Sequence, residues 1–163
     1  MLSSPRTLNA LGFLACALLL AYAYYLQFIE GLEPCPLCMA QRIAVGALGL
    51  VLLLATVQNP AALGRRVYAV LTLLCAAAGA ALAGRQVWLQ SLPADQVPAC
   101  GPGLEYMLET FPLSEVILTM IQGTGDCAKV DWTFLGLSIA GWTLVWFAAF
   151  MVFALFQLLR KAR

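Results

Sequence analysis

The sequence has no histidine, and only 10% of its 163 residues are charged. Each shortage excludes something. Without histidine, ordinary haem ligation is ruled out, and a zinc site would have to be built from cysteine alone. A soluble globular domain carries about 25% charged and about 45–50% apolar residues. Here the hydrophobic share is 63%, a composition that belongs to a lipid solvent. Acidic residues are also missing from most of the chain. All of them (Glu30, Glu33, Asp95, Glu105, Glu109, Glu115, Asp126 and Asp131) fall in or beside two segments, Glu30–Pro36 and Ser91–Asp131.

A bilayer core about 30 Å thick needs roughly 20 apolar residues per helical crossing. Four stretches meet or approach that length: Leu8–Ile29, Met39–Val57, Val67–Ala83 and Trp132–Leu159. The expected fold is therefore an all-α membrane protein, an antiparallel four-helix transmembrane bundle. It forms a single membrane domain over residues 1–163, with one long loop at about 91–131. Arg6 precedes the first stretch, Arg65 and Arg66 lie between the second and third, and Arg160, Lys161 and Arg163 follow the fourth. Basic residues near span ends mark the cytoplasmic side. Both termini and the Asn59–Arg66 turn are accordingly expected in the cytoplasm, with the two acidic segments outside. Arg6, the apolar run and Ala21-Tyr22-Ala23 have the outline of a cleavable leader. The run continues to Ile29 and reaches spanning length, so the first span is expected to be retained.

Six cysteines are present. Cys16 and Cys75 fall in mid-span, where free cysteine behaves as a small hydrophobe. Cys35, Cys38, Cys100 and Cys127 all map to the outer side, where disulfides persist in an oxidising compartment. Four cysteines allow three connectivities. The short spacing of Cys35 and Cys38 makes Cys35–Cys38 with Cys100–Cys127 the economical one. A structural zinc site would call for a second C-x-x-C, and Cys100 and Cys127 do not form one. Neither a metal nor a nucleic acid is expected as a partner.

Cys35-Pro36-Leu37-Cys38 opens the second span. Pro36 suits the first position of a helix. That puts Cys38 in the first turn, where free N–H groups and the helix dipole favour a thiolate. C-x-x-C at a helix N-terminus beside a cation is the setting in which a thiol acidifies. The cation is Arg42, one turn further on and on the same face as Cys38. The apolar run Ile43–Val57 is short, so Arg42 is expected at the outer membrane boundary. An unpaired charge there points to function; the plainer alternative is an arginine that snorkels to the headgroups.

With these residues in place, the chain resembles the DsbB family of bacterial inner-membrane disulfide-generating proteins. The resemblance is carried by Pro34-Cys35-Pro36-Leu37-Cys38 with Gln41-Arg42, and by Arg85-Gln86-Val87-Trp88-Leu89-Gln90 at the end of the third span. Cys100 in the long loop and Gly125-Asp126-Cys127-Ala128 before Trp132-Thr133-Phe134-Leu135-Gly136-Leu137 complete it. It extends over essentially the whole chain. It implies a multi-pass inner-membrane protein with a periplasmic loop, whose pair matching Cys100–Cys127 oxidises a periplasmic thioredoxin-fold DsbA-like protein. Electrons then pass to Cys35–Cys38 and on to a membrane quinone, ubiquinone or menaquinone. It further implies that Cys38 meets the quinone as a thiolate and that Arg42 helps bind the ring. Many members have histidine at the position of Gln86. Gln86 can donate a hydrogen bond near the quinone but cannot carry a proton. A partner that is itself a strong oxidant can be reoxidised only if electrons are withdrawn continuously, and a lipid-soluble acceptor meets that need.

In the long loop, Leu104, Met107, Leu108 and Phe111 follow helical spacing. A second helix, capped by Ser114, is expected through Val116–Gln122, resting on the membrane surface. Pro and Gly on both sides of Cys100 leave it in irregular chain. Three other readings compete. A carrier of reducing power would need cysteines open to the cytoplasm, and only the isolated Cys16 and Cys75 qualify. A vitamin-K-epoxide-reductase-like protein has its loop pair before the C-x-x-C, the reverse of this order. A membrane scaffold would use its disulfides merely to brace the loop.

Overall fold

The computed structural model describes residues 4–101 and 104–160. Four helices in it are long and apolar enough to cross a membrane: α1 (Pro5–Phe28), α2 (Pro36–Gln58), α3 (Ala62–Gln90) and the last helix, Ile139–Leu159. Even the last, at 21 residues, is about 31 Å long at 1.5 Å per residue. Between α3 and the last helix lie α4 (Leu104–Thr110), α5 (Leu113–Gln122), a 3-10 turn at Gly125–Ala128, and a small hairpin. The hairpin pairs β1 (Thr133–Phe134) with β2 (Leu137–Ser138), antiparallel, and leads directly into α6 (Ile139–Leu159).

Local chemistry sets the helix ends. Ser4 caps α1 by accepting from Thr7 N–H at 3.3 Å, with Pro5 in the first turn. Cys35 caps α2 with its sulfur, again followed by proline. Asn59 ends α2 in the left-handed region at φ 39°, and Pro60 cannot continue the helix. Ser138 caps α6 by accepting from Gly141 N–H at 3.1 Å.

Three sequence expectations shift. The fourth span begins at Ile139, not Trp132, because Leu135 and Gly136 take positive φ (50° and 79°) and fold the preceding residues into the hairpin. Ser114 is not a cap; α5 starts at Leu113 behind Pro112, with no side-chain capping bond. α3 runs on beyond Ala83 to Gln90, so Arg85 and Gln86 are helical.

α1 packs on α2, α2 on α3, and α3 on α6. The core holds Cys16, Leu48, Leu52, Ala76, Phe147 and Phe150 among others. Small residues allow the close approaches expected between membrane helices. A Cβ on Gly79 would fall 2.2 Å from the Phe147 ring, so α3 and α6 touch through that glycine. The outward faces are apolar, with Leu18, Leu74 and Val152 each more than half exposed; lipid is the solvent such surfaces need. Asn9 and Gln157, joined by a 2.8 Å hydrogen bond, link α1 to α6 at the end opposite the C-x-x-C. Among the described residues no buried side-chain nitrogen or oxygen lacks a partner.

Candidate functional site

Three of the four outer cysteines meet at the N-terminus of α2. Cys35 Sγ donates to Cys38 Sγ at 2.8 Å and accepts from Cys38 N–H at 3.3 Å, as the helix cap. Cys127 arrives from the 3-10 turn, fully buried, and packs against Cys35 and Leu37. With Leu37 and Leu89 these sulfurs form a small apolar cluster of their own. Cys16 is buried in the bundle core and Cys75 is half-buried in α3.

Close packing seats the loop on α2. Gly123 has φ 77° and ψ 158°, a region open essentially to glycine alone. A Cβ there would stand 2.5 Å from Leu37 Cδ1 and 2.9 Å from Leu89 Cδ1. Arg85 of α3 holds the same corner, donating to the Gln122 carbonyl at 3.2 Å while it stacks on Trp88. Cys100 is tied to the Cys127 turn through its neighbour: Gly125 N–H donates to Ala99 O at 3.1 Å. Yet the two cysteines differ. Cys127 is buried against Cys35, whereas Cys100 is exposed beside the Asp126 carboxylate.

The electrostatics follow from these contacts. Cys127 is drawn down to about 6, chiefly by the hydrogen bond from Cys35, with the backbone at Leu37 and Thr124 adding to it against the effect of burial. Cys35 is pushed up, first by Cys127 and then by Cys38, and so is held as the thiol of the cluster. Asp126 is held below the usual carboxylate range, mainly by Lys129 at 3.0 Å and further by the Cys100 thiol.

Gln86 reaches the sulfurs from α3. Its Nε2 lies 3.3 Å from Cys38 Sγ and 3.4 Å from Cys35 Sγ, and its Oε1 accepts from Gln41 Nε2 at 2.6 Å. Arg42 is on the wall of the same site, but its guanidinium turns toward α1. It donates to Gln27 Oε1 and, at 3.0 Å, to Ala23 O, and it lies 5.1 Å from the Tyr24 ring centroid. The one ion pair among the described residues is Lys129–Asp126, so the acceptors facing Arg42 are neutral. Gln41 and Gln27 were not singled out from the sequence. The signal available was a lone polar side chain inside, or at the end of, an apolar run.

Behind the sulfurs is a cavity of about 440 Å³, lined by Cys35, Cys38, Arg42 and Gln86 at one end and by aromatic residues of α6, including Trp142 and Phe147, along its side. It lies at the seam where α1 faces α6, the loosest side of the bundle. No cluster of metal-binding side chains occurs among the described residues.

The fold and this site define a multi-pass membrane protein that gathers cysteine sulfurs at one end of its bundle, beside an apolar cavity. A family model described as "Disulfide bond formation protein DsbB" matches residues 5–157. Disulfide bond formation protein B of Hahella chejuensis is 61% identical over 158 residues, 97% of this chain and 96% of its own length. That of Marinobacter nauticus is 56% identical over 158 residues, 97% and 94% of the two chains. Disulfide bond formation protein B 1 of Pseudomonas aeruginosa is 49% identical over 161 residues, 99% of each. The chain belongs to the DsbB family of disulfide bond formation proteins.

Proposed function

We propose that this protein is a thiol:quinone oxidoreductase that reoxidises a periplasmic DsbA-like dithiol oxidase and so drives disulfide formation in secreted proteins. The observation that carries the reading is the position of Cys127. Its sulfur rests on Cys35, Cys35 rests on Cys38, and Cys38 lines a cavity at the α1–α6 seam. The charge pattern supports a bacterial inner-membrane location with both termini cytoplasmic and the cysteine end periplasmic.

The steps follow from reactivity. Starting from the oxidised pair Cys100–Cys127, the exposed Cys100 is the sulfur an incoming thiolate can reach, and Cys127 leaves with the electron pair. A more acidic thiol is the better leaving group, and the backbone at Leu37 and Thr124 favours the Cys127 thiolate whatever the state of Cys35. Cys127 then attacks Cys35 of the Cys35–Cys38 disulfide. A Cys35–Cys127 bond forms, the Cys35–Cys38 bond breaks, and Cys38 keeps the electron pair as a thiolate.

The cavity fits a quinone: it has apolar and aromatic walls, and Arg42 and Gln86 line it at the sulfur end. A bound quinone would supply an acceptor for two electrons and two protons. Arg42 would hold a carbonyl oxygen of the ring, Gln86 would stand beside the reacting Cys38 sulfur, and the α6 aromatics would exclude water from the ring. Mixing the purified protein with a reduced thioredoxin-fold substrate and a short-chain ubiquinone should give steady quinone reduction, followed by absorbance. Cys35→Ser, Cys38→Ser, Cys100→Ser and Cys127→Ser should each abolish it. Substrate oxidation that persists after Cys38→Ser at the wild-type rate would overturn the reading.

A further inference from the structure

Gln41 and Gln86 are buried polar side chains at the sulfur end of the bundle, each 4% exposed, on facing helices. A primary amide carries donors at one end and an acceptor at the other, so its rotation decides what it offers. The Gln86 amide can meet the sulfurs in either sense. Its Nε2 lies 3.3 Å from Cys38 Sγ, and its Oε1 lies 3.6 Å from the same sulfur, placed to accept from the thiol. The nitrogen end suits a thiolate and the oxygen end suits a thiol. Gln41 breaks the tie. Its Nε2 donates to Gln86 Oε1 at 2.6 Å, so the Gln86 amide cannot turn over alone without setting two buried N–H groups against each other; both amides would have to turn together. Arg42 does not compete for this place, since its guanidinium is engaged by Gln27, Ala23 and Tyr24.

We propose that Gln41 is a positioning residue: it locks the Gln86 amide with its N–H groups on the Cys35 and Cys38 sulfurs, so that the thiolate released on Cys38 forms beside a donor. The inference rests on the reading that Cys35–Cys38 is redox-active. The step concerned is the attack of Cys127 on Cys35, in which one S–S bond replaces another, the electron pair stays on Cys38, and no proton moves. A hydrogen bond to a charged group is worth more than a neutral one, so orienting the amide favours release of that thiolate.

The test uses the full chain in detergent or lipid with Gln41→Met, which removes the donor and keeps the length. Alkylation of Cys38 by iodoacetamide at pH 7, read by peptide mass in the reduced protein, should slow about tenfold while that of Cys100 is unchanged. That factor corresponds to about 1.4 kcal/mol. The kcat for quinone reduction should fall by a similar factor, with the quinone KM within about twofold. In a Gln86→Met background, adding Gln41→Met should change neither rate further, because no amide remains to be oriented. Replacing both ends of the hydrogen bond with apolar groups also guards against a folding defect, which a thermal melt of the double variant would reveal. Unchanged Cys38 reactivity in Gln41→Met, or a further tenfold loss in the Gln86→Met background, would overturn the inference. If the wild-type protein shows no Cys38-dependent quinone reduction at all, the underlying reading of the pair fails instead.

Discussion

Gly123→Ala separates the docking of the loop from the chemistry of the inner pair. Gly123 sits at φ 77° and ψ 158°, a conformation that costs a residue with a side chain about 1–3 kcal/mol. Its new methyl would fall 2.5 Å from Leu37 Cδ1 and 2.9 Å from Leu89 Cδ1, and overpacking of that kind costs about 1–3 kcal/mol more. Leu37 and Leu89 are both fully buried, so neither can step aside cheaply. A combined penalty near about 3 kcal/mol is about a hundredfold in the population of the docked loop. The structure that relaxes is the one that carries Cys127 to Cys35. Quinone reduction driven by a thioredoxin-fold substrate should therefore fall by at least about tenfold. Reduction driven by dithiothreitol, a small thiol that can reach Cys35–Cys38 directly, should stay within about twofold. Equal loss in both assays would mean that Gly123 supports the bundle rather than the loop. No loss in either would refute the packing argument.

Arg42→Ala should raise the apparent quinone KM several-fold while leaving the rate of mixed-disulfide formation at Cys100 unchanged, and Arg42→Lys should recover only part of the loss, because a point charge does not replace a planar fork. An unchanged KM would remove Arg42 from the quinone site. Cys127→Ser should accumulate a reductant-sensitive adduct between Cys100 and the partner on a non-reducing gel. Cys100→Ser should give none, and Cys16→Ala and Cys75→Ala should keep turnover near wild type. An adduct on Cys127 in the wild-type background would reverse the order of the two sulfurs. The folded-state pKa of Cys127 is lowered to about 6, so the contact it makes is favoured above the ordinary thiol pKa and is lost as pH falls through about 6. In the fully reduced protein, alkylation of Cys127 should show an acid limb with its midpoint near pH 6; a midpoint above pH 8 would contradict the contacts that lower the Cys127 pKa.

The bundle was legible because lipid makes composition decisive: four apolar runs with basic residues at their ends admit few other folds. Pro36 marked the start of α2 correctly, since proline at N1 needs no partner for its missing N–H. The start of α6 was misplaced because Trp132-Thr133-Phe134-Leu135 has the apolar content of a span, and only the positive φ at Leu135 and Gly136 reveals a turn. At the site, helical spacing placed Arg42 on the Cys38 face, but the long side chain found its acceptors on α1, which spacing within α2 cannot show. The apposition of Cys127 with Cys35 depends on the seat that Gly123 makes against Leu37 and Leu89, a tertiary contact with no local signature. Gln41 stood in the quoted motif, and its role emerges only when α3 brings Gln86 opposite it.

In the proposed mechanism, electrons enter the inner pair through Cys35 from Cys127. This route is tested most directly by mixing the fully oxidised, quinone-free protein with one equivalent of a reduced thioredoxin-fold substrate, quenching with acid, and mapping the disulfides by mass. The expected products are a peptide linking Cys35 to Cys127, a mixed disulfide between the substrate and Cys100, and Cys38 as a free thiol. A peptide linking Cys38 to Cys127, or an intact Cys35–Cys38 disulfide alongside a fully reduced outer pair, would contradict this route.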